Sequence, residues 1–262
     1  MKSLDKNHLT VVYRLSGQEN GIARPTWYSK QLCLLSFLEA LKSSGCNNIS
    51  LCLLLDNQAD KNAFLVNVVG EAINAGFITK KVDVSGNCSS YLEALNLGLN
   101  KSNGRDVILM AEDDYLWLPE SLDLMLEAFA MIPEADYVTP YDHPVRYDPN
   151  FSGGSDLPHW CSRIYCTNGR HFRSQESTCM TFMVRARILN EDKPVHWKYV
   201  DTTKKCPNDR ELFRSLQHLG DKKHCRGNRR LLLGPVPSLA THVHLPYLAP
   251  VVNWEQVAYN LI

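Results

Sequence analysis

The run Asp106-Val107-Ile108-Leu109-Met110-Ala111-Glu112-Asp113-Asp114-Tyr115 is apolar and strand-sized, and it ends in three consecutive carboxylates. Adjacent acids repel one another, so their placement at a buried strand end calls for a compensating cation. A divalent ion held by oxygen atoms supplies it, and the donor set of Glu112, Asp113 and Asp114 suits Mg2+ or Mn2+ better than zinc. Ligands bind α/β domains at the carboxyl ends of strands. The triplet is therefore expected to form a metal site facing a bound phosphate. The plainer reading is a solvated loop whose acids cap the helix that follows.

Two further strand ends carry groups that fit such a ligand. Residues 9–14 form an apolar strand finishing in Tyr13 and Arg14, and Ile49–Leu55 runs into Asp56. An aromatic ring and a carboxylate suit a nucleobase and ribose, while metal-binding acids suit a diphosphate. Tyr13, Arg14, Asp56 and Asp113 are thus expected to contact a nucleotide. Asp56 keeps the alternative of simply ending its strand in a turn with Asn57. Neither G-x-x-x-x-G-K-[ST] nor G-x-G-x-x-G occurs, which disfavours P-loop and dinucleotide sites. Without such a loop, the metal must carry the phosphate charge.

Hydrophobic spacing shows the elements that hold these strand ends in line. After the first strand, residues 27–42 carry Leu34, Leu35, Leu38 and Leu41 at helical intervals, stopped by Ser43-Ser44-Gly45. Ile49–Leu55 is apolar enough to need cover on both faces. A helix over 59–75 ends at Gly76, a strand follows over 77–84, and Ser90-Tyr91-Leu92-Glu93 opens another helix with a capping-box pattern. The acidic strand, a helix around 122–129 and a strand over 135–139 continue the alternation. This order predicts an α/β domain with a mostly parallel sheet and helices on both faces. Residues 141–177 are rich in Pro, Gly, Asp, His and aromatics and read as a long irregular lid or binding loop. Beyond them a strand over 178–184, a helix over 209–219 and a strand over 230–233 are expected. A tail follows in which His242 and His244 alternate like strand residues.

The bulk properties exclude several classes. In this chain of 262 residues, Lys+Arg and Asp+Glu both number 28, so no overall field recruits nucleic acid or an acidic membrane. The first ten residues are polar and no apolar stretch is long enough to span a bilayer, so a soluble, cytoplasmic protein is expected. The nine cysteines include no Cys-x-x-Cys pair, and their odd count argues against a disulfide framework. Cys33 and Cys52 sit inside apolar runs and read as small buried hydrophobes. Cys161, Cys166, Cys179, Cys206 and Cys225, with His171 and His224, offer zinc donors, but at irregular spacing.

Taken in order, these motifs resemble those of the GT-A glycosyltransferases, most closely family 2. The family's Asp-x-Asp metal motif corresponds to Glu112-Asp113-Asp114, and its base-binding carboxylate to Asp56, with Asp60 nearby. Its strand ending in a basic residue resembles Thr181 to Leu189, which contains Arg185 and Arg187. Its Glu-Asp pair opening a helix resembles Asn208-Asp209, with Asn in place of Glu. The resemblance implies a single Rossmann-like GT-A domain in which residues 1–117 bind the nucleotide-sugar and 118–262 the acceptor. It further implies Asp209 as catalytic base, His242 as a further metal ligand beside Glu112 and Asp114, and Mn2+ or Mg2+ as cofactor. The implied reaction is transfer of a sugar from a nucleoside-diphosphate-sugar to a hydroxyl acceptor, a glycan or small molecule, with inversion.

Other readings stand beside this one. Asp209 could act only as a helix cap next to Pro207, and His242 only as a packed histidine. A sugar-phosphate nucleotidyltransferase shares the sheet, but residues 16–21 lack that class's Gly-rich basic loop. A non-catalytic binding module on the same scaffold is a third possibility. The basic run over 222–230 would contact a diphosphate or a polyanion, including modified DNA as acceptor, or is an exposed hairpin. Trp160, His159 and Tyr165 are candidates for stacking on a sugar or base.

Overall fold

The computed structural model of the chain describes residues 8–84, 86–104, 106–148, 151, 162–219, 227 and 229–261. The strands, in chain order, begin with β1 (Leu9–Leu15), β2 (Ile49–Leu55), β3 (Ile78–Lys81), β4 (Val107–Glu112) and β5 (Tyr115–Trp117). They continue with β6 (Tyr137–Val138), β7 (Ile164–Cys166), β8 (His171–Ser174), β9 (Phe182–Arg185), β10 (Leu232–Val236) and β11 (Ala240–His242). The helices are α1 (Lys30–Ser43), α2 (Ala63–Asn74), α3 (Asn87–Lys101), α4 (Ser121–Met131), α5 (Ala186–Tyr199), α6 (Asp209–Leu216) and α7 (Trp254–Tyr259).

These elements form two compact units, each assembled from three chain segments. Unit 1 takes residues 1–21, 46–113 and 179–230, and unit 2 takes 22–45, 114–178 and 231–262. The units interleave along the chain, so a division at residue 117 is not the division between compact units. The boundary instead cuts the acid triplet between Asp113 and Asp114.

Unit 1 is a mostly parallel α/β layer with strand order β3-β2-β1-β4-β9, in which only β9 runs antiparallel. Every residue of β1 is buried, as a central strand covered on both faces must be. The register sets Arg14 opposite Glu112 and Leu15 opposite Leu55. Both carboxylate-bearing strand ends therefore finish level with the end of β1. α3 closes against β1 and β4 through Gly98, where a Cβ would lie 3.0 Å from Ile108 Cγ2 and 3.5 Å from Val12 Cγ2.

Unit 2 pairs β6 parallel to β10, β8 antiparallel to β10, and β7 to β8 as a hairpin. A separate ribbon sets β11 against β5, with His242 opposite Tyr115. α1 starts at Ser29, whose side chain accepts from Leu32 N, and it packs on β5 through Phe37, 5.2 Å edge-on to Trp117.

Local differences from the sequence reading have local causes. The expected helix over 59–75 breaks at Asn62, whose side chain accepts from Phe64 N and Leu65 N and starts α2 afresh. The capping box at Ser90 does not form, because α3 begins a turn earlier after Gly86. The strand over 178–184 is shorter and gives way at Ala186 to α5, which tolerates Pro194 inside it. Arg187 is accordingly a helix-surface residue paired with Glu191 at 2.7 Å. The irregular stretch contains the β7–β8 hairpin. Cys33, Cys46, Cys52, Cys88, Cys166, Cys179 and Cys206 are free thiols, with Cys33 and Cys52 buried. His159, Trp160, Cys161, His224, Cys225 and most of the basic run over 222–230 lie outside the described residues.

Candidate functional site

In unit 1 the strand ends create a knot of carboxylates and donors. The register brings Arg14 and Glu112 side by side, and Arg14 Nη2 donates to Glu112 Oε1 at 2.6 Å. Arg14 Nη1 donates to Asn87 Oδ1 at 2.8 Å and Ser90 Oγ at 2.9 Å, tying the start of α3 to the sheet. The Thr181 hydroxyl donates to Glu112 Oε2 and accepts from Glu112 N, both at 3.2 Å. Glu112 is thus engaged on both oxygens by its own unit. Glu112, expected as a metal ligand, is here the ion-pair partner of the in-register Arg14.

Asp56 and Asp113 share one loop. Ser16 N donates to Asp113 Oδ2 at 2.8 Å, and Ser16 Oγ donates to Asp56 Oδ2 at 2.7 Å. Gly17 N and Gln58 N donate to Asp56 Oδ1 at 3.1 and 3.0 Å. The loop lies so close to the turn after β2 that a Cβ on Gly17 would sit 2.3 Å from Gln58 O, a distance only glycine accepts. These two carboxylates therefore shape the mouth of β1 and β2. Tyr13 differs from the expectation: strand alternation turns it away from Arg14, and it is fully buried. Its ring is core packing and offers no face to a base.

In unit 2 the ribbon does for Asp114 what the sheet does for Glu112. The β11–β5 register carries His242 to the acid, and His242 Nε2 donates to Asp114 Oδ2 at 3.0 Å. Arg24 Nη2 donates to the same oxygen at 3.0 Å. Burial alone would raise the Asp114 pKa, but His242 and Arg24 overcome it and hold the carboxyl well below the usual range. The His242 ring stacks on Tyr115 at 5.4 Å. From there ring contacts close a circuit through His244, Tyr247, His143 and Tyr141 back to Tyr115. Burial, then Arg146 and His242, depress His143 to about 4, so it stays neutral at physiological pH.

Asp114 and His242 bring a carboxylate and an imidazole together, donor types that a divalent ion accepts. Their 3.0 Å spacing is that of the hydrogen bond between them, and two ligands about 2.1 Å from one octahedral cation would lie at a similar separation. Among the described residues no group of three or more His, Cys, Asp or Glu is arranged to hold a metal. Mg2+-type sites are commonly completed by substrate phosphates and water rather than by an all-protein cage. The pair fits such a site.

Asp209 stands at the first position of α6, half-buried, with Oδ1 accepting from Arg210 N at 2.7 Å. The capping role falls to Asn208, whose side chain accepts from Glu211 N. Arg24 lies in a polar loop without periodicity, and the members of the aromatic circuit come from three distant segments, so neither is visible in the sequence pattern. A basic residue in the loop after the first strand was the one available signal.

No family model matches the chain, and no curated protein matches it. Similar solved structures include S. aureus TarS 1-349 in complex with UDP, at 14% identity, TM-score 0.47, 86% of this chain and 57% of that one. Another is 4-diphosphocytidyl-2C-methyl-D-erythritol synthase from Anaerococcus prevotii, at 8% identity, TM-score 0.46, 97% of this chain and 94% of that one. A third is glucosyl-3-phosphoglycerate synthase from Mycobacterium tuberculosis with Mn2+, UDP and phosphoglyceric acid, at 11% identity and TM-score 0.34. That match takes in 51% of this chain and 43% of that one. GT-A glycosyltransferases and nucleotidyltransferases both occur among the neighbours.

Proposed function

We propose that the protein is a glycosyltransferase that takes a sugar from a nucleoside-diphosphate-sugar and delivers it, with inversion, to a hydroxyl acceptor. The observation that carries this reading is the Asp114–His242 pair at 3.0 Å, following directly on a strand end where Asp56 and Asp113 frame one loop. Residues 1–117 supply the nucleotide-sugar contacts, Arg14 acting through Glu112 and Asn87, and Asp56 and Asp113 accepting from ribose or base. Residues 118–262 supply the acceptor side. Asp114 and His242 hold Mn2+ or Mg2+, which when bound stabilises negative charge on the leaving diphosphate. Asp209 takes the acceptor proton; a helix start weakens a carboxylate as a base, which suffices where the acceptor proton is lost late in the reaction.

Thermal stability against UDP, GDP, CDP, dTDP and their sugars, with and without Mn2+, tests the reading. Selective binding raises stability by about 2.7 kcal/mol at a hundredfold excess over Kd. A shift with one nucleotide, dependent on Mn2+, is the expected result; no shift with any of them removes the donor site. Incubation with the sugar nucleotide then separates the reactions. A transferase releases nucleoside diphosphate, whereas a nucleotidyltransferase running in reverse consumes pyrophosphate and forms a triphosphate.

A further inference from the structure

Arg24 has no part in the chemistry above, yet it is firmly built into unit 2. Besides its bond to Asp114, Arg24 Nη1 donates to the Val243 carbonyl, and the guanidinium lies 4.4 Å from the centre of the Tyr28 ring. The surrounding backbone is fixed as well. Leu245 N donates to Ala23 O at 3.0 Å, and Val243 N donates to Asp114 O at 2.8 Å. The Arg24 side chain is only 11% exposed. Neutralising Asp114 does not by itself explain so elaborate a seat, because His242 donates to the same Oδ2 at the same 3.0 Å. Arg14 and Arg230, by comparison, each bond carboxylates of their own: Glu112 for one, Asp192 and Glu191 for the other.

Two donors, one an arginine, converge on one carboxylate oxygen, and a divalent ion bound to that oxygen competes with both. His242 can keep company with the ion as a ligand. Arg24 cannot, since a guanidinium has donors only and no lone pair to offer. Its Nη2 must then find another anion, while Val243 and Tyr28 keep the group in place. A planar guanidinium fixed beside a metal is matched in geometry and charge to the oxygens of a phosphate.

We propose that Arg24 is a diphosphate-binding residue, held against Asp114 until metal and nucleotide arrive and then paired with the donor's phosphate oxygens. This inference rests on the donor-site reading above. Its ligand class is a nucleoside diphosphate carrying a divalent cation, and Arg24 supplies a second positive charge that the metal alone does not.

The test compares wild type with Arg24→Gln and Arg24→Lys in two assays: Mn2+ binding by electron paramagnetic resonance, and calorimetric binding of UDP, GDP, CDP and dTDP with Mn2+ present. In Arg24→Gln, Mn2+ alone should bind as tightly as in wild type or more tightly, because its competitor at Asp114 is gone. The preferred nucleoside diphosphate should bind about tenfold more weakly or worse, with partial recovery in Arg24→Lys. Mn2+ and nucleotide binding falling together would mean that Arg24 merely props up Asp114, and would overturn the inference. Unchanged nucleotide affinity would overturn it too, leaving the proposed function standing. A wild-type protein that binds no nucleoside diphosphate would overturn the proposed function, and this inference with it.

Discussion

Asp114 and Glu112 stand two residues apart and are partnered in opposite ways, Glu112 by a side chain in register across a sheet and Asp114 by a ribbon histidine and a loop arginine. Asp114→Ala should therefore abolish the Mn2+-dependent, nucleotide-induced thermal shift. Arg14→Met should instead act on stability, because it leaves the half-buried Glu112 with its counter-charge gone, at a cost of about 1–2 kcal/mol by urea unfolding. Adding Glu112→Gln to it should recover part of that loss, which a role confined to ligand binding would not predict. Asp209→Asn should leave donor binding intact and lower the rate of sugar transfer by about a hundredfold or more; equal rates would remove Asp209 as the base. Asp56, Asp113 and Asp114 are legible as acids at strand ends, while His242 enters only through the family resemblance. The sequence misjudged Tyr13 because period-two alternation tells that Tyr13 and Arg14 face opposite sides, but not which side is filled. Arg24 was illegible: nothing in its neighbours announces that residue 243 will lie alongside.

At the scale of elements, hydrophobic spacing located β1, β2, β4, α1 and α4 well, since each buries a continuous face. What it lost were elements made by contact rather than by pattern. β5 and β11 hold three residues each and exist only as a pair. The β7–β8 hairpin is mostly exposed on β7 and so leaves no alternating signature. The split of the 59–75 segment at Asn62 reflects a local contest, in which the asparagine side chain satisfies two amides that a continuous helix would have bonded through backbone. Asn62→Ala should accordingly cost about 1 kcal/mol, read from the midpoint of urea unfolding. Gly98→Ala tests the α3 seat. Helix propensity favours alanine by about 1 kcal/mol, but a methyl 3.0 Å from the buried Ile108 side chain costs about 1–3 kcal/mol of overpacking. Net destabilisation of about 1 kcal/mol is expected, and a gain in stability would show that α3 can lift from the sheet.

Over the whole molecule, each unit buries a histidine that resists protonation. In unit 1, burial depresses His196 to about 3, and Tyr91 meets its Nδ1 at 2.8 Å; in unit 2, His143 is held at about 4. Both folded values lie below the unfolded value of 6.5. The unfolded chain therefore binds more protons as pH falls from about 6.5 toward 3, and stability drops across that window. A buried histidine of this kind costs roughly 2 kcal/mol at pH 5. The drop between pH 7 and pH 5 should be shallower in His196→Gln, even if that variant is less stable at pH 7; parallel curves would show that His196 is not a source. No helix among the described residues is long and apolar enough to cross a membrane. The interleaving of the units has a consequence for how the chain comes into being. Unit 1 needs residues 179–230 and unit 2 needs 231–262, so a ribosome that has delivered only the first 178 residues has completed neither. A gene cut at 117, or anywhere else between 21 and 230, separates pieces of the same unit from each other. Neither compact unit can be inherited, expressed or swapped as a continuous stretch.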